Sequence, residues 1–308
     1  MRREPVQHEG AEVIGSDGTT DAGKAARMSE TWPGPRALAL RAVALPRRLW
    51  LAHRRRGSGH RLRFGDLRYA EAPRIERLLF IAGLHRSGTT LIERSLVARY
   101  DLSCLRAKVP ESEGQHMQDV YLPALALGGP GRFAFSKGFA AERARLTDHP
   151  ALRAALLAQW SRFVVGTSEV LVEKSPPNLL RIGWLRQVFP GARFVIVARD
   201  PRAVAGATRK WSGTSLSRLM AHWDAAYGAA LGETGEDCMI LRYEDFCADP
   251  EAGLARIATF AGLRPRTDGG EVEDRFARLK NSNPRYIGAE PPARYGPGAW
   301  DAFGYDVR

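Results

Sequence analysis

The chain has 308 residues, 44% of them hydrophobic and 26% charged, with a net charge of +12. Those proportions suit one large soluble α/β domain with additions, and with no run of about 18 apolar residues no transmembrane helix is expected. Three cysteines without C-x-x-C spacing, Cys104, Cys238 and Cys247, argue against a disulfide framework or zinc site and for a reducing, cytoplasmic setting.

The basic excess is local. Residues 36–77 hold twelve arginines against three acids, whereas 78–308 net only +5. A duplex-binding protein would carry its cations on the fold itself, so nucleic acid is not expected as a partner. Residues 1–35 are rich in Gly, Asp, Glu and Thr, lack the apolar core of a signal peptide and read as a disordered tail. Residues 36–77 form a basic N-terminal segment, and Leu38 to Arg56 within it is ambiguous. Its Ala-Leu repeats, Trp50 and the cluster Arg54-Arg55-Arg56 fit a peripheral membrane anchor over residues 36–56. A helix packed on the domain, broken at Pro46, or solvated charge is the plainer reading and the one favoured.

From residue 78 the pattern is that of an α/β domain. Leu78 to Ala82 is a continuous apolar run, as in a strand buried on both faces. Gly83-Leu84-His85-Arg86-Ser87-Gly88-Thr89-Thr90 follows, and Ile92, Leu96 and Tyr100 then recur at helical spacing. A strand, a glycine turn and a helix start aim backbone N–H groups and the helix dipole at an anion. The spacing is that of a P-loop, but Thr89 stands at the lysine position and the cation is Arg86. Phosphate is still expected there; a magnesium-bound triphosphate is not. The plainer alternative is a Gly-Thr turn with no ligand.

Asp101 to Leu105 reads as a short second strand and residues 114–165 as mostly helical, divided at Gly128-Gly129-Pro130-Gly131. Val170 to Val172 and Arg193 to Ala198 are further buried strands, separated by a helical stripe of Leu179, Ile182, Leu185 and Val188. A helix over Ser215 to Leu231 precedes a strand at Met239 to Leu241. Asp249-Pro250 caps a helix that Gly262 ends. Strands alternating with helices predict a three-layer fold with a central parallel sheet flanked by helices. Beyond Thr267 the composition reads as an irregular loop.

Three more segments place chemistry at strand ends, where open α/β sheets bind ligands. Lys174, in Glu173-Lys174-Ser175-Pro176, could neutralise a leaving phosphate, or be a surface lysine before a Pro-capped helix. Arg199, in Arg199-Asp200-Pro201-Arg202, stands where a strand ends and a helix starts. Tyr243, in Arg242-Tyr243-Glu244, is at another strand end, where an ordinary core tyrosine would be unremarkable. Pro110-Glu111-Ser112-Glu113-Gly114-Gln115-His116 offers a proton acceptor. In an extended loop Glu111 and Glu113 point the same way, so both are expected to face the cleft, and His116 competes with them. A solvated acidic loop is the bland alternative.

In this order the segments resemble sulfotransferases that use 3′-phosphoadenosine 5′-phosphosulfate (PAPS), in particular bacterial members similar to the tyrosylprotein and glycan types. The resemblance covers about residues 78–263. It implies a P-loop-like fold and a 5′-phosphosulfate loop of Arg86, Ser87, Gly88, Thr89 and Thr90. It also implies Lys174 at the sulfate-bridging region, Arg199 on the 3′-phosphate and Tyr243 near the nucleotide. The serine that usually completes the 3′-phosphate site falls at Ala207, leaving Thr208 or Arg209 to compensate. Glu113, in the Glu-Gly-Gln part, is the implied general base, with Arg86 and Lys174 stabilising the departing bisphosphate and no metal required. Lys280, Ser282 and Asn283 match the family only loosely and are not counted as site residues. The acceptor cannot be read from the residues: glycan, lipid, protein and small-molecule hydroxyls or amines all fit. Two rivals stay open, a P-loop kinase or NTPase and a non-catalytic nucleotide- or polyanion-binding module.

Overall fold

The computed structural model describes residues 74–267, 281–287 and 295–307. The tail 1–35, nearly all of the basic segment, the membrane contact expected of residues 36–56, and Lys280 lie outside the described residues.

The sheet has six strands: β1 (Arg77–Ala82), β2 (Ser103–Leu105), β3 (Val164–Val165), β4 (Val170–Lys174), β5 (Arg193–Ala198) and β6 (Cys238–Arg242). Their order is β3-β2-β4-β1-β5-β6, and every pairing is parallel except β2 with β3. The antiparallel edge β3 departs from the parallel sheet that the sequence predicts. It has only two residues, with Val165 53% exposed, so it is too short for any hydrophobic period to announce it.

Alternate residues of β1 face opposite layers, as the pleat requires. Leu79 and Ile81 pack with Ile92 and Leu96 of α1 (Thr89–Arg99) and with Leu254 and Ile257 of α8 (Pro250–Ala261). Leu78 and Phe80 belong to the opposite cluster, with Leu185 of α4 (Ile182–Val188) and Trp223 and Tyr227 of α6 (Leu216–Leu231). That layer also holds α2 (Gly138–Arg145), α3 (His149–Trp160) and α5 (Pro201–Ser212). The Asp249 cap holds, accepting an N–H of the helix it precedes, and Ser215 and Asp200 do the same for theirs. A short helix α7 (Tyr243–Ala248) that the sequence did not announce fills the step from β6 to α8.

Two regions differ from expectation. Between 110 and 137 the chain forms successive 3₁₀ turns, not α-helix. Side chains capture the amides a helix would use: Gln115 Oε1 accepts Ala124 N–H at 2.7 Å, Gln118 Oε1 accepts Tyr121 N–H at 2.9 Å, and Glu142 Oε1 accepts Leu122 N–H at 2.5 Å. The end of the chain is also better built than its composition suggests. Helix α9 (Ala299–Ala302) presents Trp300, and with Phe303 and Tyr305 it packs on Trp223, all three at most 5% exposed.

Candidate active site

The strand order reverses direction at β1, with β4 and β2 on one side and β5 and β6 on the other. A crevice at the carboxyl ends of the strands follows from that reversal, and the sequence-predicted residues gather along it.

The loop after β1 turns sharply because Arg86 and Gly88 take positive φ, 73° and 93°. Gly88 has to be glycine on a second count, since a Cβ there would lie 2.5 Å from the Tyr243 ring. Gly88 N-caps α1 with no side-chain cap, and the first intrahelical bond is Ile92 N–H to Gly88 O, so the amides of Thr89, Thr90 and Leu91 at the crevice have no intrahelical acceptors. Ser87 does something else. It is fully buried, its N–H donates to Leu84 O at 3.1 Å, and its Oγ lies 3.2 Å from Tyr227 OH. Tyr227 OH in turn donates to Val197 O at 2.6 Å. The Ser87 side chain therefore builds the loop, and its anchor, Tyr227, carried no motif by which to find it in the sequence.

On the β4 side, Lys174 Nζ lies 3.2 Å from Glu113 Oε1 and donates to Glu111 O at 3.2 Å. Both members of the pair are buried. Burial disfavours charge on Glu113, but Lys174, His85, His116 and a hydrogen bond from Gln115 Nε2 outweigh it and hold the carboxyl below its usual range. His116 Nε2 lies 3.7 Å from Glu113 Oε2. Burial pushes the His85 imidazole down to about 4, so it is neutral near pH 7. Glu111 is exposed, and it meets Lys174 only through its backbone carbonyl, not its carboxylate. Its φ of 48°, followed by 49° at Ser112, breaks the extended geometry that would have aimed both carboxylates the same way. The expectation that both glutamates face the cleft is thereby corrected, and Glu113 alone meets Lys174.

On the β5 side, Arg199 is 5% exposed and held in a fixed pose. It donates to Asn283 Oδ1 at 2.7 Å, Arg86 O at 2.8 Å and Ser282 Oγ at 3.0 Å, and its guanidinium lies 4.5 Å from the Tyr243 ring centroid. Asn283 donates to Glu244 Oε1 at 2.6 Å, and Tyr305 OH donates to Glu244 Oε2 at 2.7 Å. Ser282 and Asn283 thus come to Arg199 from a distant segment, which only the loose family match had hinted at. Thr208 is not at this centre. Its Oγ1 is buried with no hydrogen-bond partner among the described residues, in a small cavity lined by His85, Gly131, Leu219 and His222.

The crevice suits a nucleotide with two phosphate groups. Of the five N–H donors of a guanidinium, three on Arg199 are engaged, leaving two for an anion. The α1 amides and the exposed Arg86 could take another anion across β1, beside Lys174 and Glu113. Such a set can hold a donor's phosphates, neutralise a leaving group and accept a proton.

Comparison with known proteins identifies the family. A model of the sulfotransferase family matches residues 79–268. Protein-tyrosine sulfotransferase 1 of Danio rerio is 28% identical over 200 residues, covering 60% of this chain and 53% of the relative. Protein-tyrosine sulfotransferase A of Caenorhabditis elegans is 25% identical over 204 residues, covering 62% and 51%. The chain therefore spans about half the length of the curated relatives it matches. A sulfotransferase domain from the Synechococcus PCC 7002 olefin synthase aligns over 78% of this chain and 99% of its own, at 18% identity and a TM-score of 0.44, too loose a likeness to carry weight. On the family model, which takes in the phosphate loop, Lys174, Arg199 and Tyr243, this chain belongs to the sulfotransferase family.

Proposed function

We propose that the chain transfers the sulfuryl group of PAPS to a hydroxyl or amine of an acceptor, by in-line displacement and without a metal. Family membership supports the reaction class. The single observation that carries the site is the convergence of the α1 N-terminus, the Glu113–Lys174 pair and Arg199 at the carboxyl ends of three adjacent strands, β1, β4 and β5.

The α1 amides and Arg86 would hold the 5′-phosphate, and Arg199 the 3′-phosphate. PAPS supplies the activated sulfuryl group. Glu113 accepts the acceptor's proton, a role its lowered pKa permits because the carboxylate stays ionised near neutrality. Lys174, released from Glu113 by a competing anion, neutralises charge on the departing bisphosphate together with Arg86. That exchange also unmasks the base, because the cation that lowered its basicity is drawn away.

The test is calorimetry with the 3′,5′-bisphosphate, 5′-AMP and ATP–Mg, followed by a screen of acceptor pools with sulfur-labelled PAPS in excess EDTA. The reading requires the bisphosphate to bind best and labelled product to form in EDTA. Preference for ATP–Mg with no labelled product would favour a kinase or NTPase, and labelled product that returns only when magnesium is added back would refute metal independence. Heparin binding without bisphosphate binding would favour a polyanion-binding module.

A further inference from the structure

The carboxylate immediately before Lys174 has no role in this reading, yet it is 1% exposed at the end of β4. Glu173 Oε1 accepts Gly114 N–H at 2.9 Å and Ser175 Oγ–H at 2.5 Å, and Oε2 accepts Asn178 Nδ2–H. The backbone N–H it takes belongs to the residue between Glu113 and Gln115. Gly114 is shaped to admit it: a Cβ there would lie 2.6 Å from Glu173 Oε1 and 2.9 Å from Leu105 Cδ1. The same loop is held twice more, by Gln115 N–H to Ser175 Oγ at 3.1 Å and Trp160 Nε1–H to Gly114 O at 3.1 Å.

Glu173 and Lys174 are consecutive residues of a strand paired in register with β1, Phe80 opposite Glu173 and Ile81 opposite Lys174. The Gly114 hydrogen bond and the Lys174–Glu113 ion pair therefore share one rigid support, and neither shifts without the other. We infer that Glu173 is a positioning residue: it fastens the backbone of Glu113-Gly114-Gln115 to the strand that carries Lys174, and so sets the separation between the proposed base and its cation. The chemistry calls for a carboxylate, because three donors and no acceptor converge on it. A glutamine would set its N–H₂ against Asn178 Nδ2–H in one orientation and against the Gly114 and Ser175 donors in the other. Burial raises the Glu173 carboxyl above its usual range while Ser175, Asn178, Lys174 and Gly114 hold it down. The hydrogen bonds offset part of the cost of burying the carboxylate.

The inference rests on Glu113 as base, so its test reads the loop without needing an acceptor. In the full chain labelled with carboxyl-¹³C glutamate, the Glu113 signal, assigned by its loss in Glu113→Gln, is titrated in the wild type, in Glu173→Gln and in Glu173→Gln/Asn178→Asp. The double variant reverses donor and acceptor while conserving shape and charge. The groups facing Glu113 are Lys174 from β4, His85 from the phosphate loop, and His116 and Gln115 from its own loop. The expected result is a rise of the Glu113 pKa toward the ordinary carboxylate range in Glu173→Gln and a return in the double variant. Once an acceptor is known, kcat should fall about 10- to 100-fold in Glu173→Gln, as for small misplacements of a reacting group, and recover in the double variant while bisphosphate affinity holds within about twofold.

An unmoved Glu113 titration, or a shift that the reversal fails to restore, overturns the inference. Should either variant fold poorly, hydrogen exchange in the wild type decides: the Gly114 amide must exchange at least about tenfold more slowly than an open loop amide, and equal rates overturn the proposal. Bisphosphate calorimetry on the same samples separates the two ideas, since a rescued Glu113 shift in a protein that ignores the bisphosphate would refute the transfer reading and leave the positioning role standing.

Discussion

Arg199→Ala is the most direct probe of the nucleotide reading. Three of its five N–H donors are fixed by Asn283, Arg86 O and Ser282, so at most two can reach a 3′-phosphate. A charge-assisted hydrogen bond contributes about 1.5–3 kcal/mol. Losing one such interaction lowers bisphosphate affinity roughly 10- to 150-fold at about 1.4 kcal/mol per tenfold, and losing both lowers it further. Affinity for 5′-AMP, which lacks the 3′-phosphate, should change little. The assay is calorimetric titration of both nucleotides against wild type, Arg199→Ala and Arg199→Lys, with near-ultraviolet circular dichroism as the fold control. Lysine keeps the charge but cannot reach all three partners while stacking on Tyr243, so it should recover only part of the preference. Equal affinities of the wild type for the two nucleotides, or a preference that survives in Arg199→Ala, would refute the assignment.

Glu113→Gln should lower turnover by about 10²–10⁴ with bisphosphate affinity nearly unchanged, while Glu111→Gln, exposed and turned away, should do far less; the reverse order would move the base to Glu111. In the wild type, turnover should be lost as pH falls through a Glu113 pKa below the usual carboxylate range, and a break near neutrality would instead implicate His116. His222 is 2% exposed and burial pushes it from 6.5 down to about 3. The folded state thus binds fewer protons than the unfolded one, and stability should be lost as pH falls from about 6.5 toward that value, by about 1.4 kcal/mol per unit at most. Urea midpoints at pH 7 and pH 5 should therefore differ less in His222→Gln than in the wild type, and an equal difference would refute the argument. Trp300→Ala should cost about 3–5 kcal/mol, lowering Tm by on the order of 10 °C, and an unchanged Tm would mean that the C-terminal segment is not part of the core.

The strands, the phosphate loop, Lys174 and Arg199 were legible because each is local: an apolar run, then a turn, then a charged residue at a strand end. What was not legible depends on backbone direction or on distant partners. The positive φ values at Glu111 and Ser112, which decide between two glutamates, fall on residue types that do not announce them. Thr208 sits one residue past the expected serine position, and on a helix that displacement turns a side chain by about 100°, here into the cavity beside His222. Tyr227, Glu244 and Asn283 matter through contacts with residues 30 to 140 positions away, which no spacing rule reaches. The C-terminal aromatics were hidden among Gly, Pro and Arg, whose composition says loop although Trp300, Phe303 and Tyr305 say core.

The order of the strands has a further consequence. The Glu113–Lys174 pair lies on the β4 side of β1, whereas the Arg199–Asn283–Glu244 cluster lies on the β5–β6 side. The two sides share β1 and its loop, and residues 132–134 reach across through Arg132 Nε to Thr214 Oγ1 and Ala134 N–H to His222 Nε2. On the proposed reading, exchanging the turns between residues 118 and 131, which leaves Glu113 in place, should redirect which acceptor is modified while Arg199 keeps its partners. A library confined to one flank of a single strand is then the natural way to retarget such a chain.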